Sequence, residues 1–151
     1  MRLTRHTDYA MRVLLYLGAR PDRVCTIPEM ARAYGISQNH LMKVVHALGK
    51  AGYVTSVRGR HGGIRLARTA SAINVGAVMR TSETQSGAEG LMLLDCPRCP
   101  IAPACGLTNV IDEALAAFFA VLERYTLADL LDQRSEALLA IFAASRAQQA
   151  V

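Results

Sequence analysis

Residues 37–67, SQNHLMKVVHALGKAGYVTSVRGRHGGIRLA, decide the fold, because the hydrophobic period changes once within them. Ser37 suits a helix N-cap, and Leu41, Val44, Val45 and Leu48 follow at helical spacing until Gly52 closes the segment. From Tyr53 the pattern becomes that of strands. Tyr53, Val54 and Val57 stand among polar residues, Gly59, Gly62 and Gly63 supply a turn, and Ile64 and Leu66 resume the apolar side, which predicts a β-hairpin. The helix keeps Gln38, Asn39, His40, Met42, Lys43, His46 and Lys50 away from its apolar stripe. The hairpin tip carries Arg58, Arg60, His61 and Arg65.

Just upstream, TIPEMARAYGI (26–36) places Thr26 three residues before Glu29, a capping box, with Pro28 in the first turn and Gly35 as the stop. Two short helices joined by a glycine turn, the second with a polar and basic outer side, form a helix-turn-helix pattern. The basic hairpin that follows at once makes it a winged helix. In that arrangement Gln38, Asn39, His40 and Lys43 are expected to meet base edges in a major groove. Arg58, Arg60, His61 and Arg65 are expected to meet phosphates and the narrower groove.

The charge agrees with a polyanionic partner. The net charge of +5 divides unevenly: residues 1–68 hold 12 Lys+Arg against 3 Asp+Glu, and residues 69–151 hold 5 against 9. A composition of 52% hydrophobic and 19% charged residues fits a globular chain with a real core and no need of a disulfide framework. The longest uncharged run near the start, Val13 to Ala19, is too short to span a bilayer, and no secretory cleavage pattern follows it. A soluble cytoplasmic protein with no membrane partner is expected.

The remaining chain supplies two more helices around the winged unit. Ala10, Val13, Leu14 and Leu17 mark a helix over residues 7–20, and a short helix is expected over Val75–Thr81 before the polar stretch 82–90. From Leu107 a long helix repeats apolar residues about every three and a half positions, at Leu107, Val110 or Ile111, Ala114 or Leu115, Phe118, Val121 or Leu122, and Tyr125. Few elements remain to cover so long a stripe, so a homodimer is expected. The chain thus reads as mainly α, divided into a winged helix-turn-helix DNA-binding domain with a β-hairpin wing (1–81), a connector and cysteine loop (82–106), a dimerisation helix with its following turn (107–133) and a C-terminal tail (134–151).

Three of the four cysteines, Cys96, Cys99 and Cys105, fall within DCPRCPIAPAC (95–105). In a reducing compartment such a cluster points to metal or redox chemistry, and spacing alone leaves zinc, an iron–sulfur cluster and redox thiols open. Pro97, Pro100 and Pro103 keep the loop out of helix. Cys25, alone beside Thr26, reads as a small buried hydrophobe. No C-x-x-C at a βαβ junction, Ser/His/Asp arrangement or phosphate-binding glycine loop is present, so no enzyme is expected.

Taken together, MRLTRHTDYA (1–10), YGISQNHLMKVV (34–45), AGYVTSVRGRHGGIRL (51–66), the three cysteines and YTLADLL (125–131) resemble the Rrf2 family of winged-helix bacterial repressors, and within it the nitric-oxide-sensing members most closely. The resemblance implies a homodimeric transcriptional repressor on double-stranded, palindromic operator DNA, with nitric oxide as its signal. It implies an iron–sulfur cluster, 4Fe–4S before 2Fe–2S and with zinc as the lesser alternative, held by Cys96, Cys99 and Cys105 and by Asp8 from the partner subunit. Family members that regulate iron–sulfur assembly have a histidine three residues after the third cysteine, where this chain has Thr108. The two-residue spacing of Cys96 and Cys99 is tighter than is usual in the family. It keeps an iron- or redox-responsive repressor of the same family as an alternative, and beyond it a zinc- or thiol-based regulator or small redox protein.

Overall fold

The computed structural model describes residues 3–60, 62–85, 99–101, 104–132 and 134–148. Thr4 starts the first helix, α1 (Arg5–Gly18), by accepting a hydrogen bond from the Thr7 N–H. It begins two residues earlier than the periodicity suggests, and Thr7, Met11 and Tyr16 join Ala10, Val13, Leu14 and Leu17 on its buried side. Helix α2 (Ile27–Tyr34) has the expected capping box between Thr26 and Glu29 and stops at Gly35, whose φ of 64° is left-handed and suited to glycine. Helix α3 (Gln38–Lys50) follows directly. Ser37 sits at its N-cap, although its side chain makes no capping bond, and Leu41, Val44 and Leu48 are buried.

The wing is an antiparallel pair, β1 (Val54–Val57) and β2 (Gly63–Leu66), in the register Val54↔Leu66, Thr55↔Arg65, Ser56↔Ile64 and Val57↔Gly63. Cys25, between α1 and α2, adds a third rung by exchanging backbone hydrogen bonds of 2.9 and 2.7 Å with Ile64. That rung fastens the base of the wing to the helical core. Cys25 itself is fully buried, as its apolar reading requires. A short 3-10 turn (Ala70–Ala72) leads to α4 (Val75–Gln85), which runs four residues beyond the expected end at Thr81.

Helix α5 (Gly106–Leu122) is the long helix foreseen from Leu107, and α6 (Leu127–Leu131) opens on a second capping box, Thr126 with Asp129. Leu127 and Leu131 enter the main core. Helix α7 (Ser135–Gln148) docks on the winged unit through Phe142, which is almost fully buried. Its ring lies 4.8 Å from Tyr16 and 5.2 Å from Tyr34, and the Arg20 guanidinium covers both Tyr16 (3.9 Å) and Phe142 (4.8 Å). Stacked aromatics and a guanidinium over their faces add to the area buried, and Leu138 of the same helix packs against the core beside them.

Along α5 the side that packs within the chain is distinct from the stripe expected to meet a second copy. Phe119, not Phe118, is the buried aromatic, lying under the Arg80 guanidinium at 4.1 Å, with Phe118 packed edge-on against it. Leu107, Val110 and Val121 on α5 and Tyr125 just beyond it stay exposed, leaving the helix an uncovered apolar side.

Candidate functional site

The side chains singled out for base contact all lie on the open side of α3. Gln38, Asn39 and His40 fill its first turn and Lys43 its second, each exposed to solvent. The His40 ring is 6.4 Å from that of Tyr9, so the first turns of α1 stand behind the end of α3 that would enter a groove. Arg58 and Arg60 project from the wing tip, exposed, while His61 lies outside the described residues. Arg65 is not at the tip. It stands in mid-strand opposite Thr55, where strand alternation directs it to the outer surface of the hairpin.

The two helices that α3 packs against, α1 and α2, are joined by a polar cluster. The Glu29 carboxylate accepts the Tyr16 hydroxyl at 2.6 Å, is ion-paired with Arg23, and accepts from the Thr26 N–H. Burial by itself would raise the Glu29 pKa, but the hydrogen bonds from Arg23 and Tyr16, with the Arg23 charge, hold it down to about 2. The Tyr34 hydroxyl donates to the Arg12 carbonyl at 2.9 Å, and burial pushes its phenol up out of the titrating range. Both tyrosines are spent on architecture rather than chemistry.

The N-terminus of α1 is anchored with equal care. The Thr4 N–H and hydroxyl both donate to Glu83 of α4, at 2.9 and 3.1 Å, and the Glu83 carboxylate is buried there. Burial lowers the pKa of the neighbouring His6 while the Glu83 charge pulls it the other way. One turn further, Asp8 is exposed and forms a two-pronged pair with Arg12, both contacts 3.0 Å. The i,i+4 spacing of Asp8 and Arg12 was readable in the sequence, whereas the Glu83 anchor, 79 residues from Thr4, was not.

Of the three loop cysteines, Cys96 lies outside the described residues. Cys99 and Cys105 are free thiols, each half-buried, and Cys105 is the N-cap residue of α5 without a capping bond from its side chain. The helix end beside it carries the positive pole of α5, which favours thiolates over thiols. Among the described residues no three His, Cys, Asp or Glu side chains gather into a metal-holding group. The donors suit a soft metal: thiolates from one end of α5, with Asp8 on a different helix whose carboxylate would first have to leave Arg12. No helix among the described residues is long and apolar enough to cross a membrane.

The far end of α5 is tied to the winged unit. Asn74 donates its side-chain amide to the Glu123 carbonyl at 2.6 Å, the Val75 N–H donates to the Tyr125 carbonyl, and the Leu127 N–H to the Ile73 carbonyl. Gly76 lets these backbones close: a Cβ there would come within 2.8 Å of the Glu123 nitrogen. Arg80 and Glu123 add an exposed ion pair at 2.8 Å.

This arrangement has recognisable counterparts. Residues 3–133 match the Rrf2 family, described as an iron-dependent transcriptional regulator. The chain is 45% identical over 137 residues to the HTH-type transcriptional regulator NsrR of Bacillus subtilis, spanning 90% of this chain and 94% of that protein. It is 47% identical over 141 residues to the NsrR of Geobacillus kaustophilus, spanning 89% and 92%. Among solved structures, IscR of T. potens superposes with a TM-score of 0.71 at 27% identity, over 91% of this chain and 90% of that one.

Proposed function

The chain belongs to the Rrf2 family of transcriptional regulators, and from that premise we propose that it is a homodimeric repressor that binds palindromic operator DNA and senses nitric oxide through an iron–sulfur cluster. The observation that carries this reading is the placement of a free thiol, Cys105, at the N-cap of α5, a helix whose apolar side is uncovered and whose other end is fastened to the winged unit. A second copy packed along Leu107, Val110, Val121 and Tyr125 would bury that side and set two α3 helices at a fixed separation, as two half-sites of a palindrome require.

In this reading Cys96, Cys99 and Cys105 hold the cluster and Asp8 of the partner subunit completes it. The bound cluster supplies iron that nitric oxide can attack. The chain's residues do the rest. Gln38, Asn39, His40 and Lys43 read bases, and Arg58, Arg60, His61 and Arg65 grip the backbone and the narrower groove. Asp8 ties the first turn of α1, behind His40, to the cysteine loop across the dimer. When that tie is lost Asp8 returns to Arg12, and the two winged units are no longer held at one spacing. The resemblance of Asp8 and the cysteine loop to nitric-oxide-sensing members supports the reading, as does the identity to regulators named NsrR.

An iron-responsive repressor is the second reading, favoured by the tight spacing of Cys96 and Cys99. One experiment separates them. The anaerobically reconstituted protein is titrated with nitric oxide, or stripped of iron by a chelator, while affinity for a duplex selected in vitro is followed by anisotropy. Nitric oxide should weaken binding at least tenfold, a coupling of about 1.4 kcal/mol or more. Unchanged affinity under nitric oxide, with loss on chelation, would overturn the first reading in favour of the second.

A further inference from the structure

Between the end of α1 and the wing lies a cleft of which the reading above uses only Arg65. Its volume is about 410 Å³, and its lining joins the end of α1 (Leu17, Gly18), the following Arg20 and Pro21, the strand pair Thr55 and Arg65, and residues 66–70. Clefts of roughly 300–1,000 Å³ are those that take small ligands. Three arginines, Arg20, Arg65 and Arg68, are among its lining residues, and no Asp or Glu is. None of the three is ion-paired among the described residues.

Two of these arginines are held in position by aromatic rings. Arg68 lies over Tyr53 at 5.5 Å, and Arg20 spans Tyr16 and Phe142 while donating one N–H to the Tyr16 carbonyl at 3.2 Å. A guanidinium has five N–H donors in a fixed fork, so one bond to a carbonyl leaves the others to face an oxyanion. Holding the forks beforehand lowers the entropy lost on binding. The Thr55 hydroxyl adds a short donor, the Thr69 hydroxyl is shared with that of Ser71 at 3.2 Å, and Leu66, Pro21 and Ala70 give apolar walls. Forked cations, hydroxyls and an apolar wall match a phosphate group joined to a sugar.

We propose that this cleft is a phosphate-binding site, formed by Arg20, Arg65 and Arg68 with Thr55 and Thr69. The same oxyanion could come from a DNA phosphodiester flanking the wing or from a free phosphomonoester. Thr55 is three residues from Arg58, about 10 Å along the strand, so DNA gripped by the wing tip would pass within reach. The cleft stands on its own geometry, and only its DNA source rests on the reading of the preceding subsection.

The test has two arms, both on the full chain. In the first, inorganic phosphate is titrated at low ionic strength and followed by backbone amide NMR, with chloride as control. Saturable shifts at Thr55 and residues 65–70 are expected, weakened at least fivefold in Arg68→Gln and unchanged in Arg60→Gln. In the second, affinity for a mixed-sequence duplex is measured against salt, and Arg68→Gln should lower the slope by about 0.9 if a phosphodiester is bound. An unchanged slope beside saturable phosphate binding assigns the site to a phosphomonoester. Failure of the wild type to bind the duplex while phosphate still saturates refutes the DNA reading and leaves the cleft standing. Shifts that do not saturate, or that affect Arg58 and Arg60 equally, overturn the proposal. Circular dichroism of Arg68→Gln, at an exposed position, checks that it folds.

Discussion

Replacing Glu29 by Gln removes one charge from the cluster that joins α1, the 19–26 turn and α2, and its effect should depend on pH in a defined direction. The Glu29 pKa falls from 4.5 to about 2 on folding. At about 1.36 kcal/mol for each tenfold change in the protonation equilibrium, that fall corresponds to about 3 kcal/mol of stability at neutral pH. Half of the Arg23 side chain faces water, so screening reduces the expected figure to about 2 kcal/mol. Because the folded-state pKa is depressed, this contribution is complete above pH 4.5 and is lost as the pH falls through about 2. Glu29→Gln retains the shape and can still accept the Tyr16 hydroxyl, which isolates the charge. Urea unfolding followed by circular dichroism, at one fixed protein concentration and at pH 7, 5, 3.5 and 2.5, should show the gap between wild type and variant closing toward acid. A gap of constant size from pH 7 to 2.5, or no gap at pH 7, would refute the reasoning.

The other predictions address the tail, the thiols and the side chains proposed to contact DNA. Phe142→Ala should cost about 3 kcal/mol in thermal unfolding and make the chain after Arg134 sensitive to brief proteolysis, since its ring packs α7 against Tyr16 and Tyr34. Cys25→Ala should leave the visible absorption of the reconstituted protein intact at a cost of about 1 kcal/mol in stability, whereas Cys105→Ala should abolish the absorption. Arg60→Ala should weaken binding to all sequences alike and lower the salt slope by about one, while Gln38→Ala should relax preference at one base position, as measured on a panel of single-base variants.

Local chemistry made much of the fold readable in the sequence. The Thr26–Glu29 box, Gly35 and the change of period at Tyr53 each act within a few residues, and each sits where the sequence places it. The site was readable only in part, because its links are distant. Thr4 meets Glu83, Asn74 meets Glu123, and Arg20 meets Phe142 across separations far longer than any helix or hairpin, and no periodicity reports such pairs. The intrachain side of α5 depends on a distant residue as well: Phe119 turns inward under Arg80 of another helix, which no local pattern reports. Arg65 was misplaced by treating the hairpin tip as broader than its turn.

The fastening between residues 73–77 and 123–127 makes α5 a lever with a fixed fulcrum. Seventeen residues of helix give an arm of about 25 Å at 1.5 Å per residue. A displacement of about 2 Å at the Cys105 end therefore turns the arm by about 5°. An atom about 20 Å beyond the fulcrum then sweeps about 1.7 Å, half of the roughly 3.4 Å rise between bases along a DNA strand. Hydrogen bonds to base edges fail over smaller offsets than that. In the proposed repressor, a rigid joint at one end would convert a bond-length event at the other into a change of register, with no element having to unfold.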